Sequence, residues 1–339
     1  MTIVVNPNRD PAWTCASPPP EALAFHRGLP GYAPTRLVDL PDPAHPSGTG
    51  RVVAKDESSR LGLPAFKALG ASWAIHRALR DRTPDGPVTL ITATDGNHGR
   101  AVAHFAKQFG HRAEIYVPDG VHPDAVQAIR DEGATVVHVP GDYDDAVTTA
   151  SRAEHGLLVQ DTAWEGYEDV PAWIAAGYAT LFREVDGQLG GSPGLVVVPT
   201  GVGSLLQAAL AHYRSGSGPE TTIVSVEPDS AAGTAASVGA GRPVTVATGL
   251  TSMAGLNCGT VSSLAWPLIH RGLDACVLVG DEEAAAAARA LTAAGVDAGP
   301  CGAASLAALR ALHRAQSPLL RPDTTVLLLI TEGSAANPR

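Results

Sequence analysis

The chain has 339 residues, a formal net charge of −10 and 45% hydrophobic residues, which is long for one core and predicts two α/β domains. It carries no basic run interleaved with aromatics and no apolar run near the about 18 residues needed to cross a bilayer, so the composition excludes a nucleic-acid partner and a membrane span. A small-molecule substrate is the expectation that remains. Four cysteines, at 15, 258, 276 and 301, have no C-x-x-C spacing, and no early segment joins a basic start to an apolar core and a cleavage site. A soluble, cytoplasmic protein with reduced thiols is expected.

In chain order, the first 50 residues are proline-rich, with Pro18, Pro19, Pro20, Pro41 and Pro43 among them, and read as irregular chain wrapped around the body. A short strand follows at 51–54. Val/Ile/Leu-rich runs then recur at 88–93, 113–117, 135–139, 157–160, 195–198, 222–227, 275–279 and 324–330, alternating with helical patterns. Such alternation predicts parallel sheets covered by helices. Asp281, Glu282 and Glu283 place acids in the first turn of a helix running to about Ala294.

Three segments carry the chemistry. Lys67, one of three lysines against 21 arginines, stands in the mostly apolar stretch Leu61 to Gly70 at a helix start. Burial there would favour a neutral, nucleophilic amine able to hold a carbonyl cofactor, while a surface lysine whose stem covers apolar side chains fits the same segment. The second segment, Thr94 to Arg100, is a glycine turn between a strand and a helix, with Gly96 and Gly99 flanking Asn97 and His98. The third runs from the strand Leu195–Val198 through Thr200, Gly201, Val202, Gly203 and Ser204 into an apolar helix, a candidate phosphate cradle. Where a dinucleotide motif needs a third glycine this loop has Leu206, and no lysine follows either loop, which argues against nicotinamide and P-loop chemistry.

In these segments the chain resembles the pyridoxal-phosphate enzymes of the tryptophan-synthase-β fold type (fold type II) and, within them, the diaminopropionate ammonia-lyases. The matching stretches are Leu61 to Gly70, Thr94 to Arg100, Asp161 to Tyr167 with Trp173, Gly177 and Tyr178, Gly201 to Ser204, and Met253 to Gly259. The resemblance implies an α/β protein with two open, mostly parallel twisted sheets flanked by helices. Residues 1–78 and 178–339 would form a large domain and 79–177 a small one, with pyridoxal 5′-phosphate in the cleft between them and a homodimer as the assembly.

By the same resemblance Lys67 would bond to the cofactor and Asn97 would hydrogen-bond its ring oxygen. Residues Thr200 to Ser204 would surround its phosphate, and Thr331, at the end of the last strand, would offer the ring nitrogen a neutral hydroxyl; a helix-capping role for Thr331 stays open. Lys67 and Asp95 would serve as bases on opposite faces, the lysine for the L-substrate and the aspartate for the D-substrate. Asp95 also reads as a turn aspartate bonding its own backbone. Asp161 would pair with a substrate ammonium, because a buried cation calls for a carboxylate. His98 would assist the leaving group, and Tyr167 and Trp164 would line the pocket, although structural roles fit all three. The expected reaction is elimination of ammonia from 2,3-diaminopropionate, giving pyruvate and ammonia. Two alternatives stay open: a serine/threonine dehydratase-like or β-replacement enzyme of the same fold, and a non-catalytic cofactor-binding accessory protein.

Overall fold

The computed structural model describes residues 2–41, 50–80, 86–94, 96–216 and 221–336. Its strands are β1 (Thr2–Val5), β2 (Leu37–Asp39), β3 (Val52–Asp56), β4 (Thr89–Ala93), β5 (Arg112–Pro118), β6 (Thr135–Val139), β7 (Leu157–Leu158), β8 (Leu195–Pro199), β9 (Thr222–Pro228), β10 (Ala275–Val279) and β11 (Val326–Ile330). Its helices are α1 (Glu21–Arg27), α2 (Lys67–Arg80), α3 (Asn97–Gln108), α4 (Pro123–Asp131), α5 (Tyr143–Ser151), α6 (Asp169–Leu189), α7 (Ser204–Tyr213), α8 (Gly233–Ala240), α9 (Trp266–Gly272), α10 (Asp281–Ala293) and α11 (Pro300–Arg314).

The strands form a seven-stranded sheet in the order β1-β10-β9-β8-β11-β3-β2 and a four-stranded sheet in the order β6-β5-β4-β7. Every pairing is parallel except at the two edges of the larger sheet, where β1 and β2 run antiparallel to their neighbours. Both edge strands come from the first 50 residues, as does α1. The proline-rich segment is therefore not merely irregular wrapping: short β runs between prolines find hydrogen-bonding partners on sheet edges, where missing amide donors are tolerated.

Strands β3, β8 and β11 are buried along their whole length, as expected when helices cover both faces of a sheet. Alternate residues feed opposite cores. Val53, Val196, Val198, Leu327 and Leu329 pack with α2, α6 and α7, whereas Val52, Ala54, Val197, Val326, Leu328 and Ile330 pack with α10 and α11. The first of these cores continues without a break into the smaller sheet through Leu90, Ile115, Leu157 and the α3 residues Ala101, Val102 and Phe105.

Helix α6 runs unbroken through the boundary expected at 177/178. It crosses the start of α2 at a glycine pair: a Cβ on Gly177 would lie 2.6 Å from the Leu69 carbonyl oxygen, and one on Gly70 would lie 2.5 Å from the Tyr178 ring. This close crossing pins the first turn of α2, and hence Lys67, against α6. A buried ionic network anchors the same helix to the larger sheet. Glu184 on α6 accepts from Lys55 of β3 at 2.7 Å and from Arg60 at 2.8 Å, Arg60 also pairs with Glu57 at 2.6 Å, and Thr35 donates to Glu57 at 2.6 Å. Among the described residues no helix is long and apolar enough to cross a membrane.

Candidate active site

Parallel α/β sheets leave their ligand sites at the carboxyl ends of strands, and a cleft partly open to solvent lies there. Its walls include Lys67, Asn97, His98, Asp161, the whole loop Thr200 to Ser204 and Thr331. Most of the residues singled out from sequence are thus brought together. Asp95 lies outside the described residues.

Lys67 is the first residue of α2 and follows a loop tied to the end of β11. The Phe66 amide donates to the Thr331 carbonyl at 3.1 Å, and the Gly333 amide donates to the Pro64 carbonyl at 3.0 Å. Lys67 Nζ lies 2.5 Å from Asp161 Oδ2, with the Phe66 and Tyr178 rings 5.4 and 5.9 Å away. Burial, the largest single influence on Lys67, does favour the neutral amine, but the Asp161 charge and hydrogen bond outweigh it and raise the amine above its ordinary value. The lysine beside Asp161 holds that carboxyl well below the usual carboxylate range, against the opposing effect of burial. The expectation of a neutral amine in an apolar setting is corrected here, because the partner that reverses the sign stands 94 residues away along the chain.

The turn after β4 is held by Thr94, whose hydroxyl oxygen accepts from the amides of Gly96 at 2.9 Å and Gly99 at 3.0 Å. Gly99 leaves room for it: a Cβ there would meet Thr94 Cγ2 at 2.3 Å. Asn97 opens α3 and donates through Nδ2 to Glu332 Oε2 at 2.6 Å. His98 Nε2 lies 2.7 Å from the Val159 carbonyl oxygen, so this nitrogen carries the proton and Nδ1 is an acceptor, buried and without a partner among the described residues. Burial lowers the His98 pKa and keeps the ring neutral.

The loop from Thr200 enters α7 through Gly203, whose φ of +98° suits glycine. Ser204 and Leu205, in the first turn of α7, line the cleft, and the first amides of a helix have no intrahelical partner, the arrangement that binds phosphate. Thr200 contributes differently from expectation. Its amide donates to the Val226 carbonyl at 2.9 Å and its hydroxyl to the Val198 carbonyl at 2.8 Å, which locks the loop to the sheet and engages the hydroxyl proton. A Cβ on Gly201 would lie 3.0 Å from the Gly255 carbonyl oxygen and 3.2 Å from Cys258 Sγ, so the Met253 to Gly259 segment closes directly over this loop. The Thr331 hydroxyl is buried on the cleft wall and has no hydrogen-bond partner among the described residues.

Tyr167 is not on the cleft wall. Its hydroxyl donates to the Leu158 carbonyl at 3.0 Å and accepts from the Gln160 amide at 2.9 Å, and its ring stacks on Trp164 at 4.5 Å. It braces the end of β7, from which Asp161 projects. The tyrosine on the wall is Tyr143, whose hydroxyl donates to Asp161 Oδ1 at 3.4 Å. Tyr143 follows an ordinary capping-box aspartate, Asp142, and nothing local in the sequence marks it. Glu332, Cys258 and Cys301 complete the wall. The amine, the amide cradle and the orphaned Thr331 hydroxyl fit a phosphorylated pyridine aldehyde.

Residues 29–332 match the family described as pyridoxal-phosphate dependent enzyme. The chain is 36% identical to diaminopropionate ammonia-lyase of Escherichia coli (strain K12), over 92% of this chain and 87% of the relative. Among solved structures, the diaminopropionate ammonia lyase of Escherichia coli in complex with an aminoacrylate-PLP azomethine reaction intermediate superposes with a TM-score of 0.89 at 33% identity, covering 98% of this chain and 94% of the other. The same enzyme in complex with D-serine superposes with a TM-score of 0.88 at 32% identity, with the same coverage. A cleft built from an amine, an amide cradle and a neutral hydroxyl, on a chain matched this far along its length, means that the protein belongs to the pyridoxal-phosphate dependent enzyme family, in the fold-type-II group where the diaminopropionate ammonia-lyases stand.

Proposed function

We propose that the chain is an ammonia-lyase that eliminates ammonia from 2,3-diaminopropionate and yields pyruvate and a second ammonia. The cofactor, when bound, supplies an electron-withdrawing ring that acidifies the α-hydrogen of an attached amino acid. Lys67 would hold the cofactor and, with its amine free, would move the α-proton on one face; Asp95 would be the base for the other face and for the D-isomer. Asn97 contacts the ring oxygen, the amides of Gly201 to Ser204 hold the phosphate, and Thr331 donates to the ring nitrogen.

The observation that carries this reading is Asp161, a buried carboxylate 2.5 Å from the Lys67 amine. It already receives one ammonium in the cleft. When Lys67 is bonded to the cofactor, Asp161 and the Tyr143 hydroxyl are left to receive the β-ammonium of the substrate, a demand that a β-hydroxyl substrate does not make. The acceptor Nδ1 of His98 suits a proton on the departing amine. The enamine released hydrolyses in water, so two ammonia molecules leave per substrate. A cytoplasmic homodimer is part of the proposal; four cysteines with no C-x-x-C spacing support a reducing compartment.

Pyruvate assays with each diaminopropionate enantiomer and with serine test it. Diaminopropionate is expected to turn over faster than serine. Asp161→Asn should lower kcat/KM for diaminopropionate by about a hundredfold, the scale of one lost buried charge pair, with a much smaller effect on serine. Asp95→Asn should remove turnover of the D-isomer, and Lys67→Ala should remove the visible band of the bound cofactor. Serine as the faster substrate, together with an indifferent Asp161→Asn, would sink the proposal.

A further inference from the structure

Two residues past the last strand stands a carboxylate that the reaction scheme does not use. Glu332 is 2% exposed, lines the cleft and reaches two elements at once. Its Oε2 accepts from Asn97 Nδ2 at 2.6 Å, and its Oε1 accepts from the Cys301 amide at 3.2 Å, in the first turn of α11. Its backbone carbonyl accepts from the Gly299 amide at 2.9 Å. The charge thus sits at the start of α11, where the helix dipole favours an anion. Gly299 makes room for it, since a Cβ there would lie 2.8 Å from Oε1.

We propose that Glu332 is a positioning residue that sets the orientation of the Asn97 amide toward the cofactor ring. An ionised carboxylate only accepts hydrogen bonds, so the face of Asn97 turned to Glu332 must be the NH2 and never the oxygen. This removes the flipped amide from the ensemble. At 2.6 Å the contact has the length of a charge-assisted bond, and it occupies one of the two Nδ2 protons of a residue that lines the cleft. Asn97 opens α3, beside the smaller sheet, and Glu332 lies just beyond β11 of the larger sheet, so the bond also fixes the distance between the two walls that hold the ring. The inference rests on the reading of Asn97 as a ring contact.

The test is a double-mutant cycle on the holoenzyme, read by the cofactor dissociation constant and by the visible band of the bound cofactor. In Glu332→Gln the side-chain oxygen can serve the Cys301 amide while the new NH2 donates to the oxygen of a flipped Asn97 amide, so the charge-assisted bond and the fixed orientation of Asn97 are both lost. This variant is expected to weaken cofactor binding about tenfold and to shift the band, as loss of one oriented charge-assisted bond would. Added to Asn97→Ala, it should weaken binding less than twofold further. Equal weakening in both backgrounds would show that Glu332 only caps α11 and would overturn the proposal, as would an unchanged band and affinity in Glu332→Gln. An Asn97→Ala variant with normal affinity would overturn the ring contact itself. Glu332→Asp, which keeps the charge but withdraws it by one methylene, carries the same cycle if Glu332→Gln does not fold.

Discussion

Lys67 and Asp161 define each other's ionisation, and their pairing has a pH signature. The Asp161 carboxyl is held below its ordinary range by the lysine, so its contribution to stability is complete above the unfolded carboxylate pKa of about 3.9 and is lost as pH falls through the folded value. Lys67 is raised, so its share is complete below the unfolded lysine pKa of about 10.4 and is lost as pH rises past the folded value. Urea unfolding of cofactor-free protein should therefore show Asp161→Asn less stable by about 3 kcal/mol near neutrality. The gap should narrow below about pH 4. A gap that stays constant from pH 7 to pH 3 would contradict the pairing. At this scale Lys67, Asn97, His98 and the Gly201 to Ser204 loop were legible because each sits in a local pattern of glycine, apolar neighbours and helix start. Tyr143 and Glu332 were not, since their place in the cleft depends on elements far apart in the chain.

Glycines do the positioning at the scale of elements. Gly203 supplies a left-handed turn into α7, and Gly201 allows the Met253 to Gly259 segment to lie against the phosphate loop. Replacing Gly201 by alanine places a methyl group 3.0 Å from the Gly255 carbonyl oxygen, which must shift the covering segment by a few tenths of an ångström. Gly201→Ala is expected to weaken cofactor binding at least about tenfold, with a stability loss of only about 1 kcal/mol. Equilibrium dialysis and thermal unfolding measured together check this; unchanged cofactor affinity would show that the two segments do not act as a unit. The β runs were readable at this scale because buried parallel strands are continuous in Val, Ile and Leu. The exception was the N-terminal region, where β1 and β2 are four and three residues long and gain their stability from sheet edges supplied later in the chain.

For the whole molecule, the buried network of Lys55, Glu57, Arg60 and Glu184 joins the N-terminal segment, the larger sheet and α6. Glu184 is the shared acceptor, with Lys55 and Arg60 on either side. Glu184→Ala would leave both cations buried with one carboxylate between them, at a cost of about 3 to 5 kcal/mol. Because α6 packs on the start of α2, the loss should also loosen Lys67 and lower the midpoint of cofactor retention in a urea titration. A variant that unfolds at the wild-type urea concentration would show that the network contributes nothing net.

The Val/Ile/Leu-rich strands from residue 88 onward, the amine and the glycine turns were determined by local sequence, because hydrophobic period and turn chemistry act over a few residues; the kind of cofactor followed from the resemblance those segments carry. Tertiary structure alone decided the charge on Lys67, the bracing role of Tyr167, the presence of Tyr143 and the bond from Glu332 to Asn97. Each of these depends on burial and on a partner that only folding brings within hydrogen-bond distance.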